Sequence, residues 1–275
     1  MVQLTDMKLL NGRDLADYIK ERQAHQVRGL RQAHGIAPHL AIIRTNPDPV
    51  VDSYMRMKQQ YGDDILIDVT VHTIDQSDAL NTIAKLNDDP SVHGIIVQIP
   101  LPDPTQTTEI LDSVAPHKDV DSLGANGIYE PATPMAIDWL LAGYNVDLRG
   151  KNIVIIGKGR LVGAPLADLW LASDYNVTSV DRSTENLASI TIDADVIVTA
   201  TGQPGLLRAD MIRPDAIIVD AGVATDSNGL VGDVASDVRD LVKITITPEK
   251  GGVGPLTVSA LFENVIRAAQ RSMDA

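Results

Sequence analysis

The sequence predicts an α/β protein of two domains, the second a doubly wound parallel sheet, and three observations lead there. Short apolar runs at 152–156, 176–180, 194–199, 216–220 and 243–247 are separated by helix-compatible stretches, the alternation expected of parallel strands joined by crossover helices. The first run leads straight into Gly157, Gly159 and Gly163, so that 151–165 read as a buried strand, a glycine turn and the start of a helix. A length of 275 residues with 44% apolar content is enough to fill two cores.

Composition removes several classes of function. A formal charge of −14 repels nucleic acid and anionic membrane alike, which leaves small molecules as the expected partners. With 0 cysteines there is no disulfide, no thiolate–metal site and no cysteine nucleophile, as suits a cytoplasmic protein. The first residues lack the basic and apolar regions of a signal peptide, and no apolar run reaches membrane-spanning length. The six histidines are scattered, and no metal-ligand cluster is expected.

In chain order, Leu15, Ile19, Val27 and Leu30 give a helical pattern within 10–34, beginning near Gly12. Residues 38–43 read as a strand. Pro47 and Pro49 break what precedes them, and the helix after them carries Tyr54 and Lys58 at i and i+4 on one face, either a solvated pair or a phenol and an ammonium presented together. Residues 65–73 alternate as a strand, and 79–87 as a helix. Val97-Gln98-Ile99-Pro100 then place a polar amide at the carboxyl end of an apolar strand, where ligands bind in open α/β sheets; an exposed edge would hold it equally well. Residues 116–121 form a dense charged patch, with Lys118, Asp119 and Asp121, and lead into a loop of the kind that lines a cleft.

At the glycine turn, Gly157 permits the sharp bend, Gly159 lets backbone approach a pyrophosphate, and Gly163 allows close helix–strand packing, with Lys158, Arg160, Leu161 and Val162 between and after them. Asp181, Arg182 and Ser183 end the next strand at about the distance where such folds read the adenosine ribose. Thr201-Gly202-Gln203 and Gly222-Val223 follow two further strands, at the edge where a nicotinamide half would run. An ordinary βα turn accounts for the glycines alone; their company points to a Rossmann-like NAD(P)-binding domain.

Six motifs in order, Tyr54-x-x-x-Lys58, Gly94-Ile-Ile-Val-Gln98-Ile-Pro-Leu-Pro102, Pro116-x-Lys118-Asp119-Val120-Asp121, Thr133-Pro134, Gly157-x-x-x-x-Val162-Gly163-x-Pro165 and Gly251-Gly252-Val253-Gly254-Pro255-Leu256-Thr257, resemble those of the bifunctional methylenetetrahydrofolate dehydrogenase/methenyltetrahydrofolate cyclohydrolase family. The resemblance covers nearly the whole chain. It implies oxidation of 5,10-methylenetetrahydrofolate with a nicotinamide cofactor and hydrolysis of the methenyl product to 10-formyltetrahydrofolate. It implies Lys58 as the proton-handling lysine, Gln98 as the amide that orients it, Tyr54 as the ring stacked on folate and Asp121 as the carboxylate on the pterin edge. Val97, Ile99 and Pro100 would line the folate site, with Gly251, Gly252, Val253, Gly254, Pro255 and Thr257 as its far wall. It further implies a homodimer and a last helix returning to the N-terminal domain, with 1–134 and 257–275 as the folate-binding and catalytic domain and 135–256 as the dinucleotide-binding domain.

Departures from the family pattern bear on the cofactor. Lys158-Gly159 stand where Arg-Ser is usual, and Asp181-Arg182 where His-Ser is usual. An acid there accepts from the ribose hydroxyls of NAD, while Arg182 and Lys158 can neutralise a 2′-phosphate, so NADP is expected with NAD possible. Ser122–Ala125, Pro248–Lys250 and Val51 also depart. The alternatives are a cyclohydrolase with a weakened or NAD-selective dehydrogenase, and a folate- or dinucleotide-binding protein without turnover.

Overall fold

The computed structural model describes residues 7–47, 49–226 and 229–273, and of 49–51, 53–54 and 225–226 the backbone alone. Its elements are β1 (Lys8–Leu9), α1 (Gly12–His34), β2 (His39–Arg44), α2 (Pro49–Ile65), β3 (Asp68–Thr73), α3 (Ala79–Asp88), β4 (Gly94–Val97), α4 (Thr107–Asp112) and α5 (Ala132–Gly143). There follow β5 (Asn152–Ile156), α6 (Gly163–Ala172), β6 (Asn176–Val180), α7 (Leu187–Thr191), β7 (Val196–Thr199), β8 (Ile217–Asp220), β9 (Ala224–Asp226), β10 (Gly229–Val231), β11 (Thr245–Ile246) and α8 (Val253–Arg271). They gather into two compact units, Met1–Ala16 with Thr133–Thr257 and Asp17–Ala132 with Val258–Ala275.

The first unit is built on a six-stranded parallel sheet in the order β1-β11-β8-β7-β5-β6, with the short antiparallel pair β9–β10 beside it in the chain. Strand β5 has β6 on one side and β7 on the other, so chain order reverses there and leaves the crevice in which doubly wound sheets take ligands. Val154, Ile156, Ile197, Ile218 and Ile246 form the cluster on one face of this sheet. The sequence reading placed the first residues of the chain with the N-terminal domain. Instead Lys8 N–H donates to Ile244 O at 2.9 Å and Leu10 N–H to Ile246 O at 2.9 Å, which adds β1 to the edge of this sheet. Two residues carry no periodicity, so nothing in the pattern announced the strand.

The second unit holds a three-stranded parallel sheet in the order β3-β2-β4, again reversing at its middle strand. A further bridge, Ile95 to Asp119, extends its β4 edge. Ala41, Ile43, Ile95 and Val97 pack with Ile83, Leu86 and Ile110 on one face. The C-terminal helix returns to this unit as expected: the Phe262 ring stacks on Tyr61 at 5.0 Å, and Gln23 Nε2 donates to Ser259 O at 2.8 Å. Tyr61 O–H donates to Gln23 Oε1 at 2.7 Å, so the buried phenol is satisfied between α1 and α2 while burial pushes its pKa to about 12. The strand read at 65–73 begins later, because α2 runs through Ile65 and Leu66 takes φ +66° before β3 starts at Asp68.

At the β5–α6 turn the geometry is tight. A Cβ on Gly163 would lie 1.8 Å from the carbonyl oxygen of Gly157, far inside van der Waals contact. Because that obstacle is backbone, Gly163→Ala should cost about 3 kcal/mol of stability, read as a lower denaturant midpoint; an unchanged midpoint would show that the turn has slack.

Candidate functional site

In the β2–β4 unit, the reversal of strand order directs attention to the carboxyl ends of β2 and β4. Gln98 is the first residue past β4, and its backbone N–H still donates to Ile43 O at 2.8 Å, so its place is fixed by the ladder. Helix α2 brings Lys58 to it. Lys58 Nζ donates to Gln98 Oε1 at 3.2 Å, while Gln98 Nε2 donates to Ile99 O at 3.3 Å, an arrangement that turns the amide oxygen toward the lysine. Burial pushes the Lys58 amine below its ordinary value of 10.5, and the nearby Asp121 charge opposes the shift. Burial likewise raises the Asp121 carboxyl, against the pull of Lys58. Each group is driven toward its neutral form by desolvation and toward its charged form by the other, which brings their proton affinities closer together and suits proton exchange.

Asp121 is aimed by neighbours that are themselves used up in doing so. Lys118 is buried, and its Nζ donates to Leu86 O at 3.0 Å and Asp89 O at 2.7 Å, satisfying carbonyls at the end of α3. Its own carbonyl accepts Ile95 N–H at 2.7 Å, stitching the segment to β4. Asp119 accepts Gly124 N–H at 2.9 Å and holds the turn that follows. Asn264, from α8, donates to Val120 O at 2.9 Å and Glu130 O at 2.8 Å. Of the dense patch seen in the sequence, Lys118 and Asp119 are scaffold and Asp121 is the group left facing Lys58.

Tyr54 lies one helical turn before Lys58 on the backbone of α2; its side chain is outside the described residues. The Val97 side chain is buried in the apolar cluster, with Ile99 packed against it, so a contact from Val97 would come from its main chain. Ile99–Pro100 is a cis peptide.

The six-stranded unit collects the other expected residues along the carboxyl edge of its sheet. Gly157 takes φ +108°, and a Cβ there would fall 2.5 Å from Ala200 O, whereas one on Gly159 would meet nothing within 4 Å. Val162 makes no side-chain cap at the start of α6, whose first turn carries no acid. Arg160 and Leu161 are exposed beside it. Lys158 Nζ lies 3.2 Å from Asp181 Oδ2, while Asp181 Oδ1 accepts Ser183 O–H at 2.6 Å and Ser183 N–H at 2.9 Å. Ser183 first, then Lys158, pulls the Asp181 carboxyl down to about 2, so it is an anion at any working pH. Arg182 is exposed next to it. A sharp glycine turn, an open backbone approach, a helix N-terminus without a side-chain cap and an acid at the second strand's end fit a dinucleotide.

Two carboxylates organise the same edge, Asp220, which opens the loop that runs on to Gly222 and Val223, and Asp233, which the sequence pattern did not single out. Asp220 and Asp233 receive hydrogen bonds from Gly222 and from Thr201 and Gln203, respectively. The available signal was the Gly-Asp pair at 232–233, a small residue beside an acid in an otherwise apolar stretch. Of residues 251–257, expected as the far wall, only Gly251 and Gly252 lie outside a helix: α8 begins at Val253 and takes in Gly254, Pro255 and Thr257. Gly251 O accepts Gly12 N–H at 2.8 Å and Arg13 N–H at 3.2 Å, so this short turn caps α1. An open hollow lined by Asp215, Ile217, Lys243, Ile244 and Thr245 sits at the amino end of the sheet, away from all of these groups. Among the described residues, no three His, Asp or Glu side chains are grouped to hold a metal ion.

Known proteins resemble the chain across both units. Residues 10–121 match the family model described as tetrahydrofolate dehydrogenase/cyclohydrolase, catalytic domain, and residues 131–273 match the NAD(P)-binding domain of the same family. The bifunctional protein FolD of Lactobacillus acidophilus is 38% identical, covering 96% of this chain and 98% of its own. Among solved structures, the bifunctional enzyme FolD of Campylobacter jejuni is similar with a TM-score of 0.91 at 36% identity, covering 96% of this chain and 99% of its own. The Trypanosoma brucei methylenetetrahydrofolate dehydrogenase-cyclohydrolase, solved with NADP cofactor and inhibitor, gives 0.90 at 30% identity, with 97% and 98% covered.

The opposed effects of burial and Asp121 on Lys58 can be separated. In nitrogen NMR of 15N-lysine-labelled protein, the Lys58 ammonium should titrate below 10.5, and Asp121→Asn, by removing the anion that favours the cation, should lower it further. A Lys58 signal titrating at or above 10.5, or rising in the variant, contradicts the assigned balance.

Proposed function

The chain belongs to the tetrahydrofolate dehydrogenase/cyclohydrolase family, and from that premise we propose that it carries both activities. It oxidises 5,10-methylenetetrahydrofolate to the methenyl form and hydrolyses that product to 10-formyltetrahydrofolate. The observation that carries the reading is Lys58, an amine held by the oxygen of Gln98 with its pKa lowered by burial. Hydrolysis of a methenyl bridge needs a proton taken from the attacking water and one returned to the departing nitrogen. An amine whose pKa is lowered gives up its proton more readily than an ordinary lysine and meets that need, and Gln98 keeps its lone pair in one direction. Asp121, in this reading, pairs with the amidine-like edge of the pterin, and Tyr54 stacks on the ring system. Val97, Ile99 and Pro100 offer main-chain groups beside Gln98.

A nicotinamide dinucleotide, when bound, supplies the hydride acceptor for the oxidation. The β5–α6 turn, with Gly157, Lys158 and Gly159, would hold its pyrophosphate, and Thr201, Gly202, Gln203, Gly222 and Val223 would face its nicotinamide half. NADP is the cofactor in this reading, with NAD a second possibility supported by one observation. The Asp181 carboxylate is an anion paired with Lys158, an arrangement able to accept from ribose hydroxyls and, through Lys158 and Arg182, to tolerate a 2′-phosphate. We carry over from the family resemblance a homodimer in the cytoplasm. Among the described residues, no helix is long and apolar enough to cross a membrane.

Lys58→Met tests the assignment. Hydrolysis of methenyltetrahydrofolate should fall by about a hundredfold or more, with dinucleotide binding, measured by calorimetry, at the parent value. Hydrolysis at the parent rate would remove Lys58 from the mechanism.

A further inference from the structure

We propose that Asp233 is a positioning residue for the dehydrogenase half of the chemistry: its carboxylate fixes the Thr201–Gln203 turn and so sets dinucleotide affinity without touching the cofactor. This rests on the reading that the six-stranded unit binds a nicotinamide dinucleotide. Asp233 is wholly buried. Its Oδ2 accepts Thr201 N–H at 2.7 Å and Thr201 O–H at 2.9 Å, and its Oδ1 accepts Gln203 N–H at 2.8 Å. The turn follows β7, one of the two strands flanking the reversal of order, and contains Gly202 at φ +66°. Main-chain donors in such a conformation do not pair within a helix or ladder, so the carboxylate accepts them, with Thr201 Oγ1 sharing the Gln203 N–H at 3.1 Å.

A second carboxylate holds the first in place. Asp220 Oδ1 accepts Asp233 N–H at 3.0 Å, Thr199 O–H at 3.0 Å and Gly222 N–H at 3.1 Å, which ties the ends of β7 and β8 to the loop carrying Asp233. The fit leaves no spare volume, since a Cβ on Gly222 would lie 2.1 Å from the Asp233 carboxylate. Burial raises the Asp233 carboxyl, and the donors from Thr201 and Gln203 oppose that shift, as expected where the turn and the anion depend on each other. An amide in its place has an NH2 group at one end. That end must face either the Thr201 donors, which then lose their acceptor, or Gln203 N–H, which keeps only its 3.1 Å bond to Thr201 Oγ1.

The experiment is steady-state kinetics of both activities in Asp233→Asn, with thermal unfolding measured alongside. The KM for the dinucleotide should rise about tenfold or more, the effect of losing a hydrogen bond to a charged acceptor. The kcat at saturating dinucleotide should change much less, and hydrolysis of added methenyltetrahydrofolate should stay at the parent value, because Lys58, Gln98 and Asp121 belong to the other unit. Should Asp233→Asn fail to fold, Asp220→Asn, which weakens the hold on Asp233 N–H and so on the seat of the same carboxylate, must give the same split. Parental dinucleotide KM in a folded Asp233→Asn protein, or both activities falling in parallel with stability, overturns the proposal. A parent protein that binds neither NADP nor NAD removes the premise and the proposal together.

Discussion

The catalytic reading depends on one constraint, the burial of the Lys58 amine. An ammonium taken from water without compensation costs several kcal/mol, on the order of the whole stability of a domain. The chain answers with an amide oxygen at 3.2 Å and a carboxylate close enough to pull on the charge, without fully restoring the ordinary pKa. The surrounding scaffold makes sense in that light. Lys118 anchors the segment to the end of α3, Asp119 closes the turn after it, and Asn264 pins the backbone at Val120, so that Asp121 arrives where the amine is.

The two units share a rule of construction. The main sheet of each is parallel and reverses its order at an interior strand, and each carries polar groups at or just past the carboxyl ends of strands near the reversal. Gln98 follows β4 in the smaller sheet; Gly157, Thr201 and Asp220 end or follow β5, β7 and β8 in the larger. The units differ in how carboxylates are used. Asp121 faces another ionisable group, while Asp220 and Asp233 are occupied by main-chain and hydroxyl donors and shape the loops around them.

Much of this was legible in the residues because burial on both faces of a central parallel strand demands an uninterrupted apolar run. Strand β5 therefore appears at the bounds read from the sequence, the edge strand β6 appears through Val177 and Val180 set among polar residues, and Gln98 appears where a polar residue ends an apolar run. Elements that owe their existence to a partner were not legible. Strand β1 is two residues that pair because β11 offers an edge, and β9–β10 is three residues a side. Ile65 fits either a strand or a helix by pattern, and the packing of α2 decided it. Nor does a sequence say which acid in a patch meets a backbone and which meets a lysine. The division of labour between Asp119 and Asp121, and the buried service of Asp233, follow from tertiary hydrogen bonds alone.

The most direct measurement is the initial rate of nicotinamide reduction with 5,10-methylenetetrahydrofolate, run in parallel with NADP and with NAD while the methenyl intermediate is followed. The account predicts turnover with NADP, with or without NAD, and an intermediate that appears and then decays as 10-formyltetrahydrofolate forms. No reduction with either cofactor, together with no hydrolysis of added methenyltetrahydrofolate, would contradict it and leave a binding protein in its place.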